Sequence, residues 1–531
     1  MIWHILKKDL RLLWPFGVAA AILQLAIVAV HLKLGVFEEQ PIFSSALLLL
    51  ESMMYFGVAV LIATVVHEDS VVGMRQDWLV RPIQRRHLLM AKLLFLMLAV
   101  QVPMLLAGVI GGVANGFSWW LSLTEALSQN AYFLIGFTLP IFAFVSITRS
   151  TSEALGAAFV IIVANILGAE ALILPLSGSP LGPTSNTGLS WIPQTLRFAI
   201  FLAAVIAILA LQYFRRATRA SRLVLAGTVL ICLFTQVVPW NAVFTWQRAM
   251  APVPKGTREI AVRFDPSPKP LPAAAKGSGA APPATFTPVR NHEKDEDTVL
   301  HIPLAFSGIP GGSILKIDRT VASLTAPNAT GQQVISAIGD PDDFEVPDDG
   351  QSASEPRTVS EILHVRGKSY TRLKDTPVTL ELDYSVTLLN PSSTSTVPAV
   401  NGDLRIGGLG HCETRLNDSR TEVEFRCINI GNTSQCTTVV LRDPATGLHN
   451  PPLHGCRDDY APYFGRYKPP DTIMHTGFDF DFRDPSDLIH YPVNESMVNG
   501  AQVIVTNYEV AGHLTMRLTI PGIRLADLSV R

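Results

Sequence analysis

The sequence predicts a helical, polytopic membrane domain of about seven spans, followed by a mainly β, sandwich-like soluble domain. Three observations predict it. Seven apolar segments occupy the first 240 residues. Beyond them the chain turns polar, rich in proline and in Thr/Val alternation, and carries four of the five cysteines. Lysine and arginine ahead of that change gather in alternate connections between the apolar segments.

The segments are Pro15–Leu32, Ala46–Val66, Leu88–Val113, Ala131–Ile147, Ala154–Leu176, Phe198–Phe214 and Leu223–Trp240. Each is close to the roughly 20 residues that cross a bilayer. An odd number of spans puts the two chain ends on opposite sides. Positive charge in short loops resists translocation and so sets the orientation. Lys7, Lys8, Arg11, Arg75, Arg81, Arg85, Arg86, Arg149, Arg215, Arg216, Arg219 and Arg222 all fall on one side, which is therefore cytoplasmic. Lys33 and Arg197 fall on the other, at helix ends where a long side chain can snorkel. Trp119, Trp120, Trp191, Trp240 and Trp246 mark the outer interface and Trp14 the inner one. Phe198–Phe214 is short and flanked by Arg197; without it the soluble domain would lie in the cytoplasm. No cleavable leader is evident, and the first apolar stretch is expected to stay as an anchor.

Residues 1–14 are expected to form an amphipathic interfacial helix ahead of the seven-span domain, 15–241. Ile2, Leu6, Leu10 and Leu13 recur on one face, and His4, Lys7, Lys8 and Arg11 share the other. Pro15 then suits a first helical turn. The alternative is a frayed tail with a chance apolar stripe. Between the second and third spans lies the longest cytoplasmic loop, 67–87. Gly73 breaks it and Pro82 opens the next helix. Trp78 and Leu79 are apolar groups ringed by charge, which suits a partner surface. Alternatively Trp78 anchors the loop in lipid headgroups.

Residues 242–290 read as a Pro/Ala-rich junction and linker, with one strand at Glu259–Phe264. Residues 291–531 read as an extracytoplasmic β-rich domain. Its strand candidates are Val299–Phe306, Ser313–Ile317, Val378–Leu389, Glu422–Ile430, Thr437–Arg442, Gln502–Tyr508 and His513–Ile520. Period-two alternation between turn residues predicts an antiparallel β-sandwich, or two packed together. Cys412, Cys427, Cys436 and Cys456 form an even, compact set, which an oxidising compartment would convert to disulfides. Of the three pairings, Cys412–Cys427 with Cys436–Cys456 is favoured, because Asn417-Asp418-Ser419-Arg420 reads as a turn midway between the first two. The alternative is four buried thiols. Zinc is disfavoured without a CxxC spacing.

The first 241 residues hold 15 basic and 10 acidic side chains, and the rest 27 and 34. An acidic outer domain is a poor partner for nucleic acid. No GxxxxGK[ST], HExxH or GxSxG occurs, so neither an ATPase site of its own nor a common hydrolase is expected, and no cofactor is implied. His449 and His454, across Pro451-Pro452, read as loop histidines. The acidic runs Asp340–Asp349 and Asp479–Asp487 lack calcium-loop order and read as solvated. Within the spans Glu51 stands out, because a carboxylate in hydrocarbon is costly unless it faces a cavity or a partner. Glu170 is similar but shallower. Both are candidates for a polar substrate path. Otherwise each snorkels to the outer interface, or the Glu51 span has been started too early.

The N-terminal helix with Lys7-Lys8-Asp9-Leu10-Arg11 is followed, after a second span, by Glu68…Gly73…Trp78-Leu79-Val80-Arg81-Pro82-Ile83…Arg85-Arg86…Ala91-Lys92. This pattern resembles the permease subunit of type-2 ATP-binding-cassette exporters, most specifically over its cytoplasmic loop. The resemblance implies a dimer, homo- or heteromeric, with a second permease subunit in the lipid of a bacterial cytoplasmic (inner) membrane. It also implies a separate cytoplasmic ATP-binding-cassette ATPase docked on the first cytoplasmic loop. Carried onto this chain, the coupling residues are Asp69, Gly73, Arg75, Trp78, Leu79 and Arg81. The extra span and exported domain depart from the usual six-span pattern.

The expected function is thus an exporter permease whose β-domain handles substrate or docks a partner outside. The alternative is a non-transporting membrane scaffold or sensor that anchors the same domain.

Overall fold

A computed structural model of the protein describes residues 2–34, 41–68, 85–173, 191–235, 240–253, 260–266, 298–326, 345–346, 356–365, 367–417, 420, 422–430, 436–450, 452–456, 474–481, 493 and 497–528. The apolar runs fold as helices, which satisfy every backbone hydrogen bond internally, as hydrocarbon demands. In chain order they are α1 (Ile2–Leu34), α2 (Pro41–Glu68), α3 (Arg85–Leu96), α4 (Val102–Ala114), α5 (Trp119–Phe133), α6 (Leu139–Ser146), α7 (Thr151–Ile173), α8 (Trp191–Ala210), α9 (Thr218–Phe234) and α10 (Trp240–Met250).

Five stretches are long and apolar enough to cross a membrane: Ile2–Leu32, Ser45–Glu68, Arg85–Ala114, Trp119–Ser146 and Thr195–Arg215. They contain five of the expected spans, Phe198–Phe214 among them. The remaining two, Ala154–Leu176 and Leu223–Trp240, begin within α7 and α9. The described apolar stretch of α7 is Thr151–Ala164, and α9 has 17 residues, with Arg219 and Arg222 near its start. The helix α7 itself runs for 23 residues.

Residues 2–14 are continuous with the first span, and Pro15 lies inside the helix rather than at its start. Leu6 and Leu13 are buried against the other helices while Trp3, Leu12 and Trp14 are exposed. Packing of that inner stripe carries the helix through the proline.

Two of the long stretches change pitch midway. α3 passes into α4 through a π-helical turn, Met97–Gln101, and α5 into α6 through another, Leu134–Thr138. A proline follows each, Pro103 and Pro140, at the second position of the next helix. Neither can donate to the carbonyl four residues earlier, so the ladder shifts register locally.

The second half forms β1 (Ala261–Phe264), β2 (Thr298–Ser307), β3 (Ile314–Thr325), β4 (Glu345–Val346), β5 (Arg357–Val365), the short helix α11 (Gly367–Leu373), β6 (Val378–Pro398), β7 (Asp403–Ile406), β8 (Gly410–Leu416), β9 (Glu422–Asn429), β10 (Cys436–Arg442), β11 (Leu453–Cys456), β12 (Met474–Asp481) and β13 (Gln502–Ile523). They build three sheets, ordered β1-β2-β5, β11-β10-β13-β6-β3-β4 and β12-β9-β8-β7. The runs Gln502–Tyr508 and His513–Ile520, expected as two strands, are one strand, β13, bulged between Asn507 and Tyr508 and between Val510 and Gly512.

The paired strands β6 and β13, 21 and 22 residues long, cross two cores. At one end Leu380, Leu382 and Ile520 pack against Leu300, Ile302 and Phe306 of the three-stranded sheet. At the other, Val397, Val503 and Val505 pack against Phe425 and Phe480 of the four-stranded sheet. Burying these side chains on both small sheets, at roughly 25 cal/mol per Å² of apolar area, is what holds the long pair between them.

Basic residues gather at one end of the helices, and the β-domain meets the other. Lys8 Nζ lies 3.4 Å from Glu68, Lys92 Nζ 3.2 Å from Asp9, and Arg222 Nη2 2.7 Å from Glu153. These pairs tie α1 to the end of α2 and to α3, and α7 to α9. At the far end Arg405 donates to the Gly116 carbonyl in the α4–α5 turn, and Phe117 packs with Ile428 and Ile430.

Candidate functional site

Four helices each turn one face to a common cleft. α1 contributes Gln24, Ile27, Val28 and His31, and α4 contributes Met104, Ala107, Gly108 and Gly111. Both sets step by three, four and seven, the spacing that stacks side chains on one helical face. α2 adds Glu51 and Met54, and α5 adds Ala126, Gln129 and Asn130. The cleft holds about 660 Å³, counted with its open mouth. Glycines let α4 approach both neighbours. A Cβ on Gly111 would stand 3.4 Å from Val28 Cγ1 of α1, and one on Gly112 would stand 2.6 Å from Ser122 Oγ of α5.

Glu51 thus faces a cleft, with its Oε1 3.9 Å from His31 Nε2. The polar lining extends beyond that pair. Gln24 is only 5% exposed, and neither of its amide atoms has a hydrogen-bond partner among the described residues. Asn130 Nδ2 donates to the Gln101 carbonyl at 3.0 Å, which fixes the amide's orientation and leaves Oδ1 without a partner among the described residues. Gln101 Nε2 in turn donates to Thr138 Oγ1 at 3.0 Å, so the two π turns are joined by a buried polar contact. Burying such amides in hydrocarbon costs several kcal/mol when they are unpaired, which is why a polar cleft inside a helical bundle suits ligand binding better than packing.

Glu170 lies on α7, with its side chain outside the described residues. Asp69, Gly73, Arg75, Trp78, Leu79 and Arg81, the expected coupling residues, also lie outside them. The flanking ends are described. Glu68 meets Lys8, and His67 is within 3.2 Å of the hydroxyls of Thr148 and Thr151. Both contacts belong to the basic end.

The cysteines pair as Cys412–Cys427 and Cys436–Cys456, each across 4.0 Å between Cα atoms. Both bonds join residues directly opposite on antiparallel neighbours, β8 with β9 and β10 with β11. The β8–β9 hairpin turns at the expected place: Arg420 N donates to the Asn417 carbonyl, and Arg420 has a φ of 57°.

A second polar cluster sits where α10 enters the β-domain. Gln247 Nε2 is 2.9 Å from His513 Nε2, His513 Nδ1 is 2.8 Å from Thr387 Oγ1, and Thr387 Oγ1 donates to Asp318 Oδ2 at 2.5 Å. The polarity of this chain is consistent with neutral His513, which accepts from Gln247 and donates to Thr387. Burial lowers the His513 pKa to about 4, in keeping with that form. The strands are bulged here, β3 between Ile317 and Arg319 and β13 between Val510 and Gly512. The bulges admit the chain leaving α10: His513 N donates to the Ala251 carbonyl, and a Cβ on Gly512 would stand 2.6 Å from Val253 Cα. No sequence pattern marks this cluster, because its members come from four elements.

Two other buried groups are titratable. His454, expected in a surface loop, lies on β11 against Thr438 Oγ1 at 3.1 Å, and burial lowers its pKa to about 4. Burial raises the Glu361 carboxyl to about 7 although it accepts a hydrogen bond from Tyr384. Asp479 of the second acidic run pairs with Arg426 at 2.6 Å. Among the described residues no three His, Cys, Asp or Glu side chains gather as metal ligands. Compared with models of known protein families and with curated protein sequences, the chain matches none.

Proposed function

We propose that the chain is the permease subunit of an ATP-binding-cassette exporter of the type-2 class, driven by a separate cytoplasmic ATPase. The observation that carries this reading is Glu51 in a polar cleft among membrane-spanning helices. A bundle that only anchors a domain gains nothing from a carboxylate and unpaired amides in hydrocarbon. In this reading the basic end faces the cytoplasm, the loop 69–81 receives the ATPase, and the disulfide-bonded β-domain lies outside, handling substrate or docking a partner. A second permease subunit completes the dimer.

The test is Trp78→Ala. Losing an apolar interface anchor costs about 2 kcal/mol or more, roughly thirtyfold in affinity. The variant should insert normally yet lose co-purification of the ATPase and stimulated hydrolysis, while Arg75→Ala at the rim does much less. Unchanged association and hydrolysis would sink the permease reading. The scaffold or sensor reading would then lead, and one observation favours it: the Gln247–His513 contact joins α10 rigidly to the β-domain.

A further inference from the structure

The helix α10 presents two different faces. Val243, Phe244 and Gln247 are buried on one side. Gln247 meets His513, the Phe244 ring stands edge-on to the same imidazole at 6.1 Å between centroids, and Arg248 Nη1 donates to Thr515 Oγ1 at 2.9 Å, so this side is held to β13. The other side carries Ala242, Thr245, Trp246, Ala249 and Met250, all exposed and recurring at the three- and four-residue steps of one helical face. Trp246 is 58% and Met250 53% exposed, and the stripe bears no charge.

The neighbouring helices fix where this stripe lies. α8 belongs to a stretch long enough to cross a membrane, and α9 runs back along it until Arg197 Nε donates to Thr235 Oγ1 at 2.7 Å. The start of α9, where Arg222 meets Glu153, is at the opposite, basic end. The chain from Phe234 to Trp240 can reach at most about 20 Å. α10 therefore starts within one short connection of the membrane surface. The exposed Trp119 and Trp120 open α5 at this same end, beside the Gly116 carbonyl that receives Arg405 of the β-domain. Tryptophan suits that level because its ring is apolar and its N–H reaches the headgroups. With 11 residues α10 is too short to cross the bilayer, but an apolar stripe along its length suits the bilayer surface.

We propose that this stripe lies in the lipid of the leaflet beside the β-domain, with α10 parallel to the bilayer surface and Trp246 and Met250 inserted between headgroups and acyl chains. β13 then rests on the back of a membrane-bound helix, and the β-domain is held to the membrane at two places, α10 and the α4–α5 turn. In water Trp246 and Met250 would form an apolar patch on an uncharged face, which lipid covers. A permease and a scaffold would use the contact alike, since it needs only a bundle that crosses a membrane.

The experiment uses the full-length protein in nanodiscs of phosphatidylcholine, whose lack of net charge leaves apolar burial as the attraction. Cys232→Ser removes the cysteine outside the two disulfides. Trp246→Cys, Ala249→Cys and Met250→Cys, one at a time, then carry a nitroxide, with Leu448→Cys, exposed between β10 and β11, as the reference in water. Collision with oxygen, which concentrates in lipid, is compared with collision with a water-soluble nickel chelate. The ratio of oxygen to nickel collision should be severalfold higher at all three α10 positions than at Leu448. A ratio equal to that at Leu448 would place the face in water and overturn the proposal. Exclusion of both reagents would place protein on it, a second copy if spin–spin broadening accompanies the exclusion, and would overturn it equally. No ATPase is present, so this result and that of Trp78→Ala stand or fall separately.

Discussion

Lys92 Nζ stands 3.2 Å from Asp9 Oδ2, and both side chains are almost wholly buried, at 1% and 0% exposure. The pair joins the first turns of α1 to α3, beside Leu6 and Phe95 in the same apolar cluster. An ion pair removed from water recovers its desolvation cost only while both partners are present. The contact therefore gives the N-terminal residues one fixed place against the bundle.

Lys92→Met should strand the Asp9 carboxylate and cost about 3–5 kcal/mol, the penalty of breaking a buried pair from one side. Asp9→Leu together with Lys92→Met should recover most of it, since apolar replacement of both partners is often neutral. Thermal unfolding of the full-length protein in detergent reads both. A single variant as stable as the parent would mean that the pair is solvated.

The proposed orientation, with the basic end in the cytoplasm, is open to direct test. A reporter active only outside the cytoplasm should be active when fused to the C-terminus and silent when fused after Arg222. The reverse pattern would put the β-domain in the cytoplasm.

The two cross-strand disulfides close loops of 15 and 20 residues. Each should stabilise the domain by about 2–4 kcal/mol. Mass spectrometry of non-reduced peptides from protein taken directly from the membrane should find Cys412 linked to Cys427 and Cys436 to Cys456. Four alkylatable thiols would contradict both the pairing and the compartment.

His513 should make stability depend on pH. Its pKa is depressed to about 4 in the fold, against the 6.5 usual for histidine. Between those values the unfolded chain binds the extra proton, so stability is full above about 6.5 and falls as pH drops towards 4. The loss is on the order of 3 kcal/mol, and His454 adds to it with the same sign. Glu361 opposes it: raised to about 7, that carboxyl stabilises most below its usual pKa and loses the effect as pH rises through 7. Melting temperatures of the full-length protein at about pH 7 and about pH 5 should differ less in His513→Gln than in the parent. An unchanged pH dependence would mean that His513 titrates normally.

Local patterns carried far in this protein. Runs such as Ala46–Val66 give helices because apolar length and helical hydrogen bonding are both properties of a single segment. Period-two alternation located most of β2, β6 and β10, and the turn at Asn417–Arg420 pointed to the Cys412–Cys427 hairpin. Glu51 stood out by the cost of a carboxylate in hydrocarbon. Its neighbours His31, Gln24 and Asn130 did not, because the cleft exists only once α1, α2, α4 and α5 are packed. The same holds for Asp9 with Lys92 and for Gln247 with His513, 83 and 266 residues apart. It holds too for β13, where bulges let one strand continue through what reads as a gap between two. Sequence determines which face of a segment is apolar and which residues are expensive to bury. Which expensive residues meet depends on how the segments pack, and only the tertiary structure decides that.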